Sequence, residues 1–252
     1  MKKDFTLSLY DYLLGTLKPD QYTFRTFKDF LATPDTKTII LRHDVDRLPD
    51  NALRMAEMEH FLGIQATYYF RVVPESWSED VMRRIAAMGH ELGYHYEDLA
   101  IAKGDYEMAI GHFERQLERF RAIYPVKTVC MHGSPLSRYD NRDLWKRYDY
   151  RDYGIIGEPY FDVNYKKIFY LTDTGRRWNN ESSSIRDRVD SGFDIPVKST
   201  FHLMELAREG KLPDRIMINV HPQRWHNRPW PWVKELVWQT VKNLVKRSLI
   251  KR

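Results

Sequence analysis

With 252 residues, 42% hydrophobic and 30% charged, and no low-complexity tract, the chain has enough apolar material for one folded core and lacks the composition of a disordered segment. Its formal charge of +5 leans only weakly toward anionic partners, and its basic residues are spread out, with no zinc-finger spacing and no aromatic RNA-binding motif, so no nucleic-acid partner is expected. The lone cysteine, Cys130, excludes an internal disulfide and agrees with a cytoplasmic location; the start MKKDFTLSLYDYLLGTLKPD has no continuous secretory core, and no apolar run is long enough to be a transmembrane segment.

In chain order, Asp4 to about Ala32 predicts two short helices, because Leu7, Tyr10, Leu14 and then Phe24, Phe27, Phe30 and Leu31 recur at helical spacing. Residues 1–36 are accordingly expected as a helical extension, and 37–252 as one barrel domain. From Lys37 the β-rich runs alternate with amphipathic helical stretches, the pattern of βαβ units. The first strand is KTIILRHDVD, followed by a helix from Pro49 to Leu62 that starts on proline and stops at Gly63. IQATYYFRV is the second strand, and SEDVMRRIAAMG a helix with Ser78 as its N-cap. HELGYHY, a helix near Tyr106 to Tyr124, and VKTVCMHGS come next. Further strands are expected at GIIGEPYF near Ile155, KIFYLTD, FDIPVKST and RIMINVH, with a long polar loop from about Arg176 to Gly192. The last stretch, WVKELVWQTVKNLVKRSLIKR, reads as an amphipathic basic helix with Val233, Leu236, Val237, Leu244 and Val245 on or near one face. These elements predict an α/β fold, a distorted (β/α) barrel of about seven strands.

In parallel barrels the loops after the strands share one face, so polar residues at strand C-terminal ends converge. That rule gathers His43, Asp44, Asp46, His95, His132, Asp173 and His221 around one pocket. A divalent metal held by imidazole and carboxylate lowers the pKa of bound water from 15.7 to about 7, which suits hydrolysis. Asp44 and Asp46, two apart, project to one side of a strand, so one can bind metal while the other takes a proton. His95 leaves its strand at the catalytic end, whereas His90 lies at the other; His60 and His112 fall within helices and are read as ordinary. His221, ending an apolar strand before Pro222, suits a general acid.

These motifs resemble the polysaccharide deacetylases of carbohydrate esterase family four, in a divergent branch, over most of the chain. RHDVD resembles the first motif, implying that Asp44 is the base and Asp46 a metal ligand. GHELGYHYEDL resembles the second and implies that His95 is a ligand. MHGSP resembles the third, a lining of the substrate groove that takes in Gly133, Ser134 and Pro135. DTGRRW resembles the fourth, whose acidic and basic residues tune the base, implying such roles for Asp173 and Arg176. INVHP resembles the fifth and implies that His221 is the catalytic acid. The resemblance implies a metal-dependent hydrolase that removes an N- or O-acyl group from a carbohydrate, with zinc as the expected ion.

One position departs from that pattern. The family's second metal histidine falls on Leu99 here, and His132 on the neighbouring strand is the candidate replacement, since catalytic zinc generally keeps three protein ligands. His43 is the weaker candidate because strand alternation turns it away. His43, Trp178 and Trp225 complete the expected substrate contacts, sugar rings being able to stack on indoles; for Trp230 and Trp232 the favoured alternative is gap-filling between the last helix and the barrel. Arg176 and Arg177 have two readings, pairing with Asp44 or a phosphate, or solvation in a loop. The substrate is expected to be a nucleotide- or lipid-linked sugar precursor. The competing expectations are a carbohydrate-binding protein that has lost productive metal binding at Leu99, and a terminal helix that contacts an anionic membrane surface peripherally.

Overall fold

β-branched and aromatic runs that alternate with capped amphipathic stretches fold here into parallel strands crossed by helices. A computed structural model of the chain describes residues 3–18, 22–33, 36–134, 137–178, 187 and 189–250, with side chains of the last helix described to residue 244. The strands are β1 (Thr23–Arg25), β2 (Thr38–Val45), β3 (Thr67–Phe70), β4 (Glu91–Tyr96), β5 (Val129–Met131), β6 (Phe169–Thr172) and β7 (Arg215–Val220). The α-helices are α1 (Leu7–Leu17), α2 (Phe27–Ala32), α3 (Pro49–Phe61), α4 (Glu79–Ala87), α5 (Asp98–Ile101), α6 (Tyr106–Arg121), α7 (Pro159–Asp162), α8 (Thr200–Arg208) and α9 (Pro229–Ile250).

Strand order is β5-β4-β3-β2-β7-β6, and the pairings are parallel. The last long strand, β7, thus returns to pair with β2, curling the sheet into a half-barrel whose open side lies between β5 and β6. β1 shares an edge of β2 with β3, pairing Thr38 to Ile40 while β3 pairs Arg42 to Val45. Every residue of β2 is buried, as expected of a central parallel strand covered on both faces.

The period of two along each strand sorts residues between two cores. One large cluster, containing Ile39, Leu41 and Val45 with apolar residues of α1, α3, α4, α6 and α8, lies between sheet and helices. A smaller cluster, built on Ile40, Tyr69, Cys130, Tyr170 and Met217, fills the inside of the half-barrel. Gly93 of β4 sits on that crowded inner face, where an added Cβ would lie 2.3 Å from the Tyr69 ring. Above the inner cluster, at the C-terminal strand ends, the same face turns polar.

Several expected elements differ. The N-terminal segment is not purely helical, since β1 lies between its two helices; three residues are too few for periodicity to reveal. Ser78 does stand at the N-cap of α4, but its side chain makes no capping bond, leaving Glu79 and Asp80 to meet the first turn. GIIGEPYF forms only a single bridge, Thr128 to Gly157, because Gly154 turns the chain at φ 71° and Glu158 then caps α7. FDIPVKST forms no strand among the described residues; Pro196 has no N–H to give a ladder.

Glu158 is fully buried and accepts the Met131 backbone N–H at 3.0 Å, tying α7 to the end of β5. Burial pushes its carboxyl up to about 7 against the hydrogen bonds and arginines that favour the anion. In the unfolded chain it ionises near 4.3, so between that value and about 7 the folded form holds the extra proton and stability falls as pH rises. We expect the fall from pH 5 to pH 7.5 in the urea midpoint to flatten in Glu158→Gln. A variant slope equal to that of the parent chain would remove Glu158 as its cause.

Candidate metal and catalytic site

β2, β4, β5, β6 and β7 each deliver a polar residue to the same end of the half-barrel, around a cavity of about 510 Å³. Asp44, Asp46, His95, His132 and His221 all line it, as do Gly133 and Ser134. Pro135 lies outside the described residues.

Asp46, His95 and His132 converge. Asp46 Oδ1 lies 3.6 Å from His95 Nε2 and 3.6 Å from His132 Nε2. Both imidazoles are oriented from behind: His95 Nδ1 is 2.9 Å from the Cys130 carbonyl, and His132 Nδ1 is 2.9 Å from Glu97 Oε2. A proton on Nδ1, facing those acceptors, would leave each Nε2 lone pair directed at Asp46. Glu97 is in turn held by the Arg71 guanidinium, and although burial opposes its ionisation, His132 and Arg71 bring its carboxyl down to about 2. Among the described residues Asp46 Oδ1 is buried without a hydrogen-bond partner, while Oδ2 accepts from Gln223 at 2.8 Å.

An unpartnered buried carboxylate oxygen beside two imidazole nitrogens is a donor set that could hold a divalent cation. Tetrahedral bonds of about 2.0–2.1 Å separate ligand atoms by roughly 3.4 Å, close to the spacing found, and three protein ligands leave a fourth position free. A second group, Asp44, His95 and Cys130, also clusters. It suits a cation poorly, since Asp44 is already committed to Arg42 and burial keeps the Cys130 thiol protonated.

Asp44 is held in place as an anion. Arg42, two residues earlier on β2, donates Nε to Oδ1 at 2.9 Å and Nη2 to Oδ2 at 2.7 Å, and Asn219 of β7 donates to Oδ2 at 3.0 Å. Burial alone would raise the carboxyl; Arg42, aided by His95 and His221, more than offsets it and holds Asp44 well below the usual carboxylate range. His221 Nε2 and His95 Nε2 each lie 3.9 Å from Asp44 Oδ2.

His221 is oriented by Asp173. The Asp173 carboxylate approaches His221 Nδ1 at 2.6 Å, and it also accepts the His221 backbone N–H, Arg224 Nη1 at 2.7 Å and the Trp225 indole at 2.7 Å. That arrangement fixes the imidazole from behind and leaves Nε2 at the cavity lining.

Four expectations need correction. Asp173 holds the acid candidate His221, where it was expected to tune the base. Arg176 faces away from the cavity: Gly175 and Arg176 both adopt positive φ, and its guanidinium lies over the rings of Phe5 and Trp232 while donating to the Arg224 carbonyl. His43 points to the outer face, stacked 4.2 Å from the Tyr68 ring and bonded to buried Glu59 at 2.7 Å, so it cannot touch a ligand. Trp178 and Trp225 are buried against Phe5, the former bonded to Thr200, and neither offers a face to a sugar. Leu99 is buried in the outer core.

Other residues escaped notice although the strand period carried them. Arg42, Glu97 and Asn219 stand two positions from Asp44, His95 and His221, on the same face, and Gln223 and Arg224 lie two and three residues after His221. Asp187, Gln239 and Lys242 reach the cavity from a loop and from α9, where no local pattern marks them.

No protein-family model matches the chain, and no curated protein matches it. Among solved structures it is similar to the crystal structure of the Xyl-CE4 domain of a multidomain xylanase from the hindgut metagenome of Trinervitermes trinervoides, with a TM-score of 0.43 and 14% identity over 83% of this chain and 85% of that one.

Proposed function

We propose that the protein is a metal-dependent hydrolase that removes an N- or O-acyl group, acetyl being the simplest, from a carbohydrate. The observation that carries this reading is the meeting of Asp46, His95 and His132, their free ligand atoms turned inward, beside an anionic Asp44 and an oriented His221. Two imidazoles and one carboxylate suit zinc best. Bound there, such an ion would activate water and polarise an acyl oxygen.

The chain's own residues supply the rest. Asp44 takes the proton of the attacking water as oxygen bonds to the acyl carbon. Its low proton affinity limits its driving force as a base, so its contribution is chiefly position and negative charge. His221 gives a proton to the departing nitrogen or oxygen as the C–N or C–O bond breaks, leaving a carboxylic acid and a free amine or alcohol on the sugar. A cavity walled by carboxylate, guanidinium, amide and hydroxyl groups suits a hydroxyl-rich ligand. We infer a cytoplasmic sugar precursor, nucleotide- or lipid-linked, as the substrate; the buried thiol of Cys130 agrees with that compartment.

The test is hydrolysis of acetylated sugars by the purified chain, with the metal content measured alongside. We expect about one divalent ion per chain, turnover lost to a chelator and restored by zinc, and turnover lost in Asp44→Asn. A chain without stoichiometric metal, or undiminished turnover in Asp44→Asn, would leave a sugar-binding protein in place of the enzyme.

A further inference from the structure

Helix α9 has two different sides. On one, Gln239 and Lys242 line the catalytic cavity, Glu235 pairs with Arg47, and Asn243 donates to the Gly175 carbonyl at 2.9 Å. On the other, a stripe at helical spacing is left open: Trp230 is 75% exposed, Val237 56%, Trp238 48% and Val241 48%. This stripe forms one wall of a groove of about 1410 Å³, whose opposite wall includes Leu7, Leu48 and Met58. Among the described residues no helix is long and apolar enough to cross a membrane.

The charges around the groove are one-sided. Among the described residues Arg47, Arg54, Arg228 and Lys234 line it, against the single acid Glu235, which is already paired with Arg47. A second copy docked on this face about a two-fold axis would set cations against cations. An anionic bilayer surface complements the groove on both counts: acyl chains accept the aliphatic stripe, indoles favour the headgroup boundary, and lipid phosphates attract the cationic rim.

We propose that the α3–α9 groove and the open stripe of α9 form a surface by which the protein sits on an anionic lipid bilayer. Arg47 lines both this groove and the catalytic cavity, so the docked protein holds the cavity beside the lipid headgroups. The inference does not depend on which reaction the cavity performs.

The experiment is co-sedimentation of the full chain with vesicles of phosphatidylcholine alone and of phosphatidylcholine mixed equally with phosphatidylglycerol. Binding to the mixed vesicles is expected to exceed binding to the neutral ones at least tenfold. The paired substitutions Trp230→Ser with Trp238→Ser, and Arg228→Glu with Lys234→Glu, are each expected to weaken it by roughly tenfold or more. These side chains are exposed, and matching thermal melts would confirm that the variants fold. Absence of binding to either vesicle, or variants that bind like the parent, would overturn the proposal. So would light scattering that finds a dimer abolished by the tryptophan pair, which would assign the face to a second copy.

Discussion

If the protein is the proposed hydrolase, Asp173→Asn is expected to lower kcat on the order of 10³–10⁴-fold while leaving the measured metal content unchanged. Asp173 is fully buried and accepts from the ring, the backbone and two neighbours of His221. An amide there loses the negative charge behind the ring, and it presents an N–H where an acceptor is required, which favours the wrong tautomer. The carboxylate lies among none of the three proposed ligands, so metal content separates this effect from loss of the ion. Because Arg224 also depends on Asp173, the variant loses stability as well. His221→Gln keeps the Arg224–Asp173 pair and should show a comparable fall in kcat without that instability. A loss below tenfold in both variants would remove His221 as the acid.

Arg42→Met is expected to cost about 3–5 kcal/mol of unfolding free energy at pH 7, because it leaves the Asp44 carboxylate buried with only Asn219 to donate to it. Arg42 has no exposed surface, and it packs its guanidinium 5.3 Å from the Tyr160 ring. The pH dependence fixes the cause. In the parent chain the folded pKa of Asp44 is depressed, so its contribution is fully present above the unfolded value of about 3.9 and is lost as pH falls below it. Without Arg42 the burial of Asp44 is opposed only by Asn219 and the more distant His95 and His221, so the variant is expected to regain stability as pH falls from 7 toward 4. The difference between the two chains should therefore narrow on acidification. Arg42→Met with Asp44→Asn should recover much of the loss, since neither charge then stays buried alone. A gap that is constant with pH, and equally large in the double variant, would mean that packing of Arg42 rather than its charge is what matters.

The strand-end rule explains why so much of the cavity was legible in the sequence. Asp44, Asp46, His95, His132 and His221 each follow an apolar run, and in a parallel sheet those positions meet whatever their distance along the chain. His132 lines the cavity because β5 pairs with β4 and sets His132 next to His95. The supporting residues were present in the same motifs but needed the period of two to be applied a second time, from Asp44 back to Arg42 and from His95 on to Glu97. Arg176 was misplaced because two successive positive-φ residues reverse the chain just beyond Asp173, and sequence proximity stops meaning spatial proximity there. Gln239 and Lys242 reach the cavity only through the packing of α9 across its mouth, a tertiary contact without a local signal.

The most direct measurement is anomalous diffraction at the zinc edge from crystals of the chain soaked in zinc. We predict one ion bonded at about 2.0–2.2 Å to Asp46 Oδ1, His95 Nε2 and His132 Nε2, lost when His132 is replaced by alanine. An ion seated between Asp44 and Cys130 instead, or no ordered ion at stoichiometric zinc, would contradict the account.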